Sequence, residues 1–136
     1  MRRSDMKKTG ILNAQLMGLI TALGHKDEFL IADAGMPIPK GVEIVDLVLV
    51  GGVPSFRQTM DAVLAETCIE SCTLAEEIDE KNPELLAYMQ EKLAGLPCEK
   101  IPHTELKKRT ANVKFAIRTG EFTPYPNVIL TAGCVF

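Results

Sequence analysis

Five residues of this sequence have the types and settings that acid–base work on a hydroxylated molecule requires. The two histidines, His25 and His103, each stand at a helix boundary. His25 follows the C-terminus of an apolar helix, whose partial negative charge favours imidazolium. His103 precedes the N-terminus of another, whose partial positive charge favours the neutral ring. Environments that push two titratable groups apart assign acid and base roles. His25 therefore suits a proton donor, and His103 an acceptor or hydrogen-bond partner. A satisfied structural or surface histidine is the ordinary alternative at each place.

Asp33 lies at the end of an apolar strand, within "DAGMPIPKG". Gly35 allows a turn closed to other residues, while Pro37 and Pro39 fix their own φ and push Met36 and Ile38 toward extended backbone. So stiff a loop can hold a carboxylate in place, although a lone aspartate equally well caps a turn. In "TPYPN", residues 123–127, the prolines exclude Tyr125 from a helix interior or a central strand. Its ring is expected on a rigid extended loop, and packing over a proline-rich turn is the alternative. Asn127 carries an amide that both donates and accepts, as vicinal hydroxyls require. Lys107, one turn into the last helix, reads as a solvated lysine.

The elements that must place these groups alternate along the chain. Asn13 caps a helix with Leu16, Ile20 and Leu23 on one face. "EFLIADAG" and "VEIVDLVLVGG" read as buried strands, and Ser55 caps a helix striped by Phe56, Met60, Val63 and Leu64. "CIESCTLAEEI" is a third strand, and Asn82-Pro83-Glu84 is a strong helix start. After the short strand "CEKIP", Thr104 caps a last helix carrying Leu106, Thr110, Val113 and Ile117 inward to Gly120; "NVILTAGCVF" is a long final strand. The alternation argues for an α/β fold with helices on both faces of a largely parallel sheet, in which ligands collect at the carboxyl ends of strands.

With 136 residues, 46% apolar and 24% charged, the chain fits one soluble domain, 1–136. A net charge of −3 gives no bulk attraction to nucleic acid, and the basic group Arg2, Arg3, Lys7 and Lys8 reads as a solvated terminus. No apolar run approaches the roughly 18 residues of a membrane span, nor is there a signal-peptide core. A cytoplasmic protein is expected, with no membrane partner. Met6 offers a second start, so residues 1–5 read as a disordered extension. The cysteines at 68, 72, 98 and 134 lack metal-ligand spacing. They are expected to be small buried apolar residues in a reducing compartment. "GGVPS" before a helix lacks both GxGxxG and GxxxxGK[ST], and Glu76, Glu77, Asp79 and Glu80 read as a solvated acidic edge.

From about Met6 to Phe136 the chain resembles the sugar mutarotase family, which has ribose and fucose branches. The resemblance rests on "LGHKDEFLIADAGMPIPKG", "GVPSF", "AEEI" before "NP", "HTELKKRTA" and "IRTGEFTPYPNVILTAG", with "DAGMPIP" similar to the ribose branch. It implies a three-layer α/β/α sandwich with a mixed central sheet. It also implies interconversion of the pyranose and furanose forms of D-ribose, without cofactor or metal. His25 would be the catalytic proton donor, and Asp33, His103, Tyr125 and Asn127 would bind the sugar. The family assembly it implies is a homodecamer of two stacked pentameric rings, with sites between neighbours. Mutarotation of another sugar such as L-fucose, a non-catalytic sugar-binding regulator and a purely structural oligomer are the alternatives.

Overall fold

The computed structural model describes residues 6–136. Arg2, Arg3 and the expected extension over 1–5 lie outside the described residues. One six-stranded sheet organises the chain: β1 Glu28–Ala32, β2 Glu43–Asp46, β3 Ile69–Ala75, β4 Cys98–Ile101, β5 Phe115–Arg118 and β6 Val128–Ala132. Their order across the sheet is β2-β5-β1-β6-β3-β4. β1, β2 and β5 run parallel, as do β3 and β4, and β6 is antiparallel to both of its neighbours, β1 and β3. The sheet is thus mixed and largely parallel, as expected. That single reversal decides which residues meet. The start of β6 lies at the sheet edge where the parallel strands end.

Helices α1 Ala14–Thr21, α2 Phe56–Leu64 and α4 Pro83–Lys92 cover one face, with the short α3 Ile78–Lys81 leading into α4. Alternate strand residues point toward them, among them Phe29 and Ile31, Phe115 and Ile117, and Val128 and Leu130. The rings of Phe29 and Phe115 stack with centroids 5.0 Å apart. On the opposite face Leu30, Ala32, Ala116 and Ile129 pack under α5 His103–Arg109 and under Met36 of the loop after β1. The N-caps read at Asn13 and Ser55 are made: Asn13 accepts the Leu16 N–H, and Ser55 and Gln58 form a reciprocal capping box.

The last helix is shorter than expected. Pro102, not Thr104, is the N-cap of α5, which ends at Arg109; a 3-10 turn follows, and Phe115–Arg118 is the strand β5. Within it Phe115 and Ile117 face the helices while Ala116 faces the opposite layer, and β5 is hydrogen-bonded on both sides, to β1 and β2. The second strand also stops early, at Asp46, because its partner β5 ends opposite at Arg118. Beyond it Leu49, Val50 and Val53 are exposed. The final strand ends at Ala132, leaving Val135 and Phe136 exposed.

The cysteines depart from expectation as well. Cys72 on β3 and Cys98 on β4 are register partners with Cα atoms 4.7 Å apart, and a disulfide joins them. Cys68 and Cys134 are free, and Cys134 is exposed. A separation of 26 residues hides the pairing in the sequence; only the β3–β4 register reveals it. Among the described residues no helix is long and apolar enough to cross a membrane.

Candidate functional site

The carboxyl ends of the parallel strands hold four of the five residues singled out. Asp33 follows β1 and Asn127 precedes β6, so the reversed strand brings together residues 94 apart in sequence. Asn127 is fully buried, and its side-chain amide is used twice. Its Oδ1 accepts the Asp33 backbone N–H at 2.9 Å, and its Nδ2 donates to Asp33 Oδ2 at 3.1 Å. The second carboxylate oxygen, Oδ1, accepts the Gly35 N–H at 2.9 Å. Asp33 therefore does close a turn, as the plain alternative held, and the same bonds fix its carboxylate. A cleft of about 420 Å³ opens beside it, bounded by Gly35, Arg118, Glu121 and Thr123. Arg118 donates to the Ala34 carbonyl and to Asp46, bracing the loop from β5 and β2.

His103 opens α5 immediately beyond β4, and its ring meets the Tyr125 ring edge to face, with centroids 5.0 Å apart at 87°. Burial holds the His103 pKa below the usual 6.5, and the Lys107 ammonium pushes the same way, against smaller upward pushes from Glu77 and Asp33. The neutral ring expected from sequence is favoured, but by desolvation rather than by the end of a seven-residue helix. Nδ1 of His103 is buried without a hydrogen-bond partner, alone in this among the described side chains.

Two acidic residues matter more than their sequence suggested. Glu77 is no mere solvated edge: both its carboxylate oxygens accept the backbone N–H of His103, at 2.9 and 3.2 Å. Tyr125 is not extended either. Its φ of 65° is left-handed, a conformation costing a bulky residue about 1–3 kcal/mol that surrounding contacts must offset.

His25 is elsewhere. It precedes β1, so the whole strand, roughly 16 Å at the usual rise per residue, separates it from Asp33. Its Nε2 and Glu70 Oε1 lie 2.8 Å apart, and Lys26 pairs with the other Glu70 oxygen. These two partners, Lys26 first, hold the partly buried Glu70 carboxyl below its ordinary range. Lys26, like Tyr125, has a positive φ, 78°, and strained non-glycine backbone concentrates at functional places. Beside His25 lies a second cleft of about 380 Å³, with Ile20, Cys68, Gly133 and Phe136 in its wall. One chain thus carries two separate constellations, an imidazole–carboxylate pair at one end and a polar array at the other. Glu70 carried no sequence signal and Glu77 only its place in "AEEI"; β3 running the length of the sheet places one at each end.

The fold and this split arrangement define a class of small α/β proteins with clefts at both ends of a mixed sheet. A sequence profile of the RbsD / FucU transport protein family matches residues 6–135, and the chain belongs to that family. It is 47% identical over 131 residues to the D-ribose pyranase of Geobacillus kaustophilus, covering 96% of each chain. The structure of Bacillus subtilis RbsD complexed with D-ribose superposes with a TM-score of 0.93 at 43% identity, covering 96% of this chain and all of that one. The fucose mutarotase of Streptococcus pneumoniae, solved in complex with L-fucose, shares the fold at a TM-score of 0.78. Its identity is 19%, over 92% of this chain and 95% of that one.

Proposed function

We propose that this chain is an isomerase that interconverts β-D-ribopyranose and β-D-ribofuranose by ring opening and reclosure, without a cofactor. The observation that carries the reading is 43% identity over 96% of the chain to a protein bound to D-ribose. Identity to the fucose mutarotase is less than half of that, 19%, which favours ribose over fucose.

The chemistry follows from the groups at the two ends. His25, oriented by Glu70, donates a proton to the ring oxygen as the anomeric hydroxyl gives one up to water. The ring C–O bond then breaks to an aldehyde. The C5 hydroxyl attacks that carbonyl to give the pyranose, and the C4 hydroxyl to give the furanose. On reclosure the attacking hydroxyl returns a proton to His25 and the carbonyl oxygen takes one from water. Imidazole suits both transfers because its pKa is near neutral. Asp33 and Asn127 orient vicinal hydroxyls, with His103 and Tyr125 completing the sugar-binding wall, and such fixed donors stabilise charge developing on oxygen. A sugar hydroxyl is also the type of partner that the unpaired His103 Nδ1 lacks.

Because His25 and Asp33 stand at opposite ends of β1, the complete set forms only where one copy's His25 end meets another copy's Asp33 end. Exposed apolar side chains at both ends support that contact: Leu49, Val50, Val53 and Phe122 toward the Asp33 cleft, and Val135 and Phe136 near His25. Such head-to-tail contacts close into a ring when the rotation between neighbours closes. A decamer of two stacked five-membered rings, acting in the cytoplasm, is the assembly we adopt.

Saturation-transfer NMR of D-ribose and L-fucose with added protein tests the activity. Faster exchange between ribose ring forms is expected. A fucose-only effect would assign the other sugar, and no effect on either would leave a binding or structural role.

A further inference from the structure

Asn82 sits at the junction of α3 and α4, 8% exposed. Its Oδ1 accepts the Leu85 N–H at 3.4 Å, capping α4. Its Nδ2 donates twice, to Thr123 Oγ1 and to the Pro124 carbonyl, both at 2.9 Å. Those are the two residues that lead into Tyr125, whose left-handed backbone needs outside support. Helix capping alone uses only the oxygen of this amide; the nitrogen is committed to the loop. At the other end of α3, Glu77 holds the backbone of His103. The residues flanking this one short helix therefore grip both segments whose rings meet edge to face.

We propose that Asn82 is a positioning residue for the sugar site, setting the pose of the Tyr125 ring against His103 through its two donated hydrogen bonds. The inference rests on the reading of His103 and Tyr125 as sugar-binding groups. Asn82 touches no substrate; it acts through Thr123 and Pro124. Glu121 assists, accepting from the Thr123 hydroxyl at 2.7 Å and from the Phe56 N–H at 2.9 Å, so the loop is tied to α2 as well.

Asn82→Asp separates the two roles of the side chain. It keeps an oxygen to cap α4, and aspartate is as good a cap as asparagine. It replaces the donor with an acceptor facing the Pro124 carbonyl. The readout is 19F NMR of protein labelled with 3-fluorotyrosine. The chain has only two tyrosines, 88 and 125, so a Tyr88→Phe variant assigns both resonances. In Asn82→Asp the Tyr125 resonance is expected to shift or broaden while that of Tyr88 stays. Ribose exchange, kcat/KM, is expected to fall by about tenfold or more, as misplaced binding groups do. A wild-type Tyr125 resonance, or a shifted one with wild-type exchange, overturns the proposal. Should Asn82→Asp fail to fold, Thr123→Val removes one partner at an exposed position. An unmoved Tyr125 resonance there overturns it equally. If wild-type protein does not accelerate ribose exchange at all, the enzymatic reading fails, while the resonance still judges whether Asn82 sets the ring.

Discussion

His25 is half-exposed and makes its one side-chain hydrogen bond to Glu70, so removing it leaves the core intact. His25→Ala and His25→Asn are expected to abolish ribose exchange with little loss of stability, checked by saturation-transfer NMR beside a denaturant titration. Near-normal exchange in both variants would remove His25 from the mechanism. His103 gives a prediction with a sign. Its folded pKa lies below 6.5 because burial and Lys107 disfavour the cation. As pH falls through 6.5 the unfolded chain takes up this proton first. Stability contributed by neutral His103 is therefore lost over that interval, and the loss levels off once the folded ring titrates. Lys107→Met is expected to raise the His103 pKa and Glu77→Gln to lower it, as read from imidazole NMR signals against pH. Shifts in the opposite directions would contradict the electrostatic account. Residue types near helix ends and prolines single these side chains out in the sequence, while their proposed roles come from the family resemblance. Glu70 and Glu77 were not legible, because an acidic residue facing solvent and one gripping a distant backbone look alike without the sheet.

At the level of elements, β5 shows where sequence reading failed and why. Thr110, Val113 and Ile117 fit a helical stripe continuing from Leu106, yet Val113, Phe115 and Ile117 also fit alternation. Pairing with β1 and β2 decides between them, and pairing is long-range information. The caps at Asn13, Ser55 and Asn82 were legible because each is a local contact within three residues. Gly120, expected from sequence to stop a helix, instead marks a close crossing behind β5. A Cβ there would lie 2.7 Å from the backbone N and O of Val53. Gly120→Ala is accordingly expected to destabilise the fold by about 1–3 kcal/mol, as overpacking does, measured by denaturant unfolding. Wild-type stability would mean the two loops are not held against each other.

Across the whole molecule, the antiparallel β6 is what makes a site out of a strand start and a strand end, while the length of β1 keeps His25 apart from it. The exposed apolar residues at both ends then have a common explanation in a head-to-tail contact. Phe122→Asp, placing a charge on a side chain that is 75% exposed, is expected to lower the oligomeric mass in sedimentation and to reduce ribose exchange in parallel. A lighter species with full exchange would show that one chain suffices. Sharing of the site is tested most directly by complementation. His25→Ala and Asp33→Ala are each expected to be inactive. Co-expressed in equal amounts, they place an intact His25 beside an intact Asp33 at about a quarter of head-to-tail contacts, so roughly that fraction of wild-type ribose exchange is expected to return. A mixed assembly no more active than its parents would contradict the account.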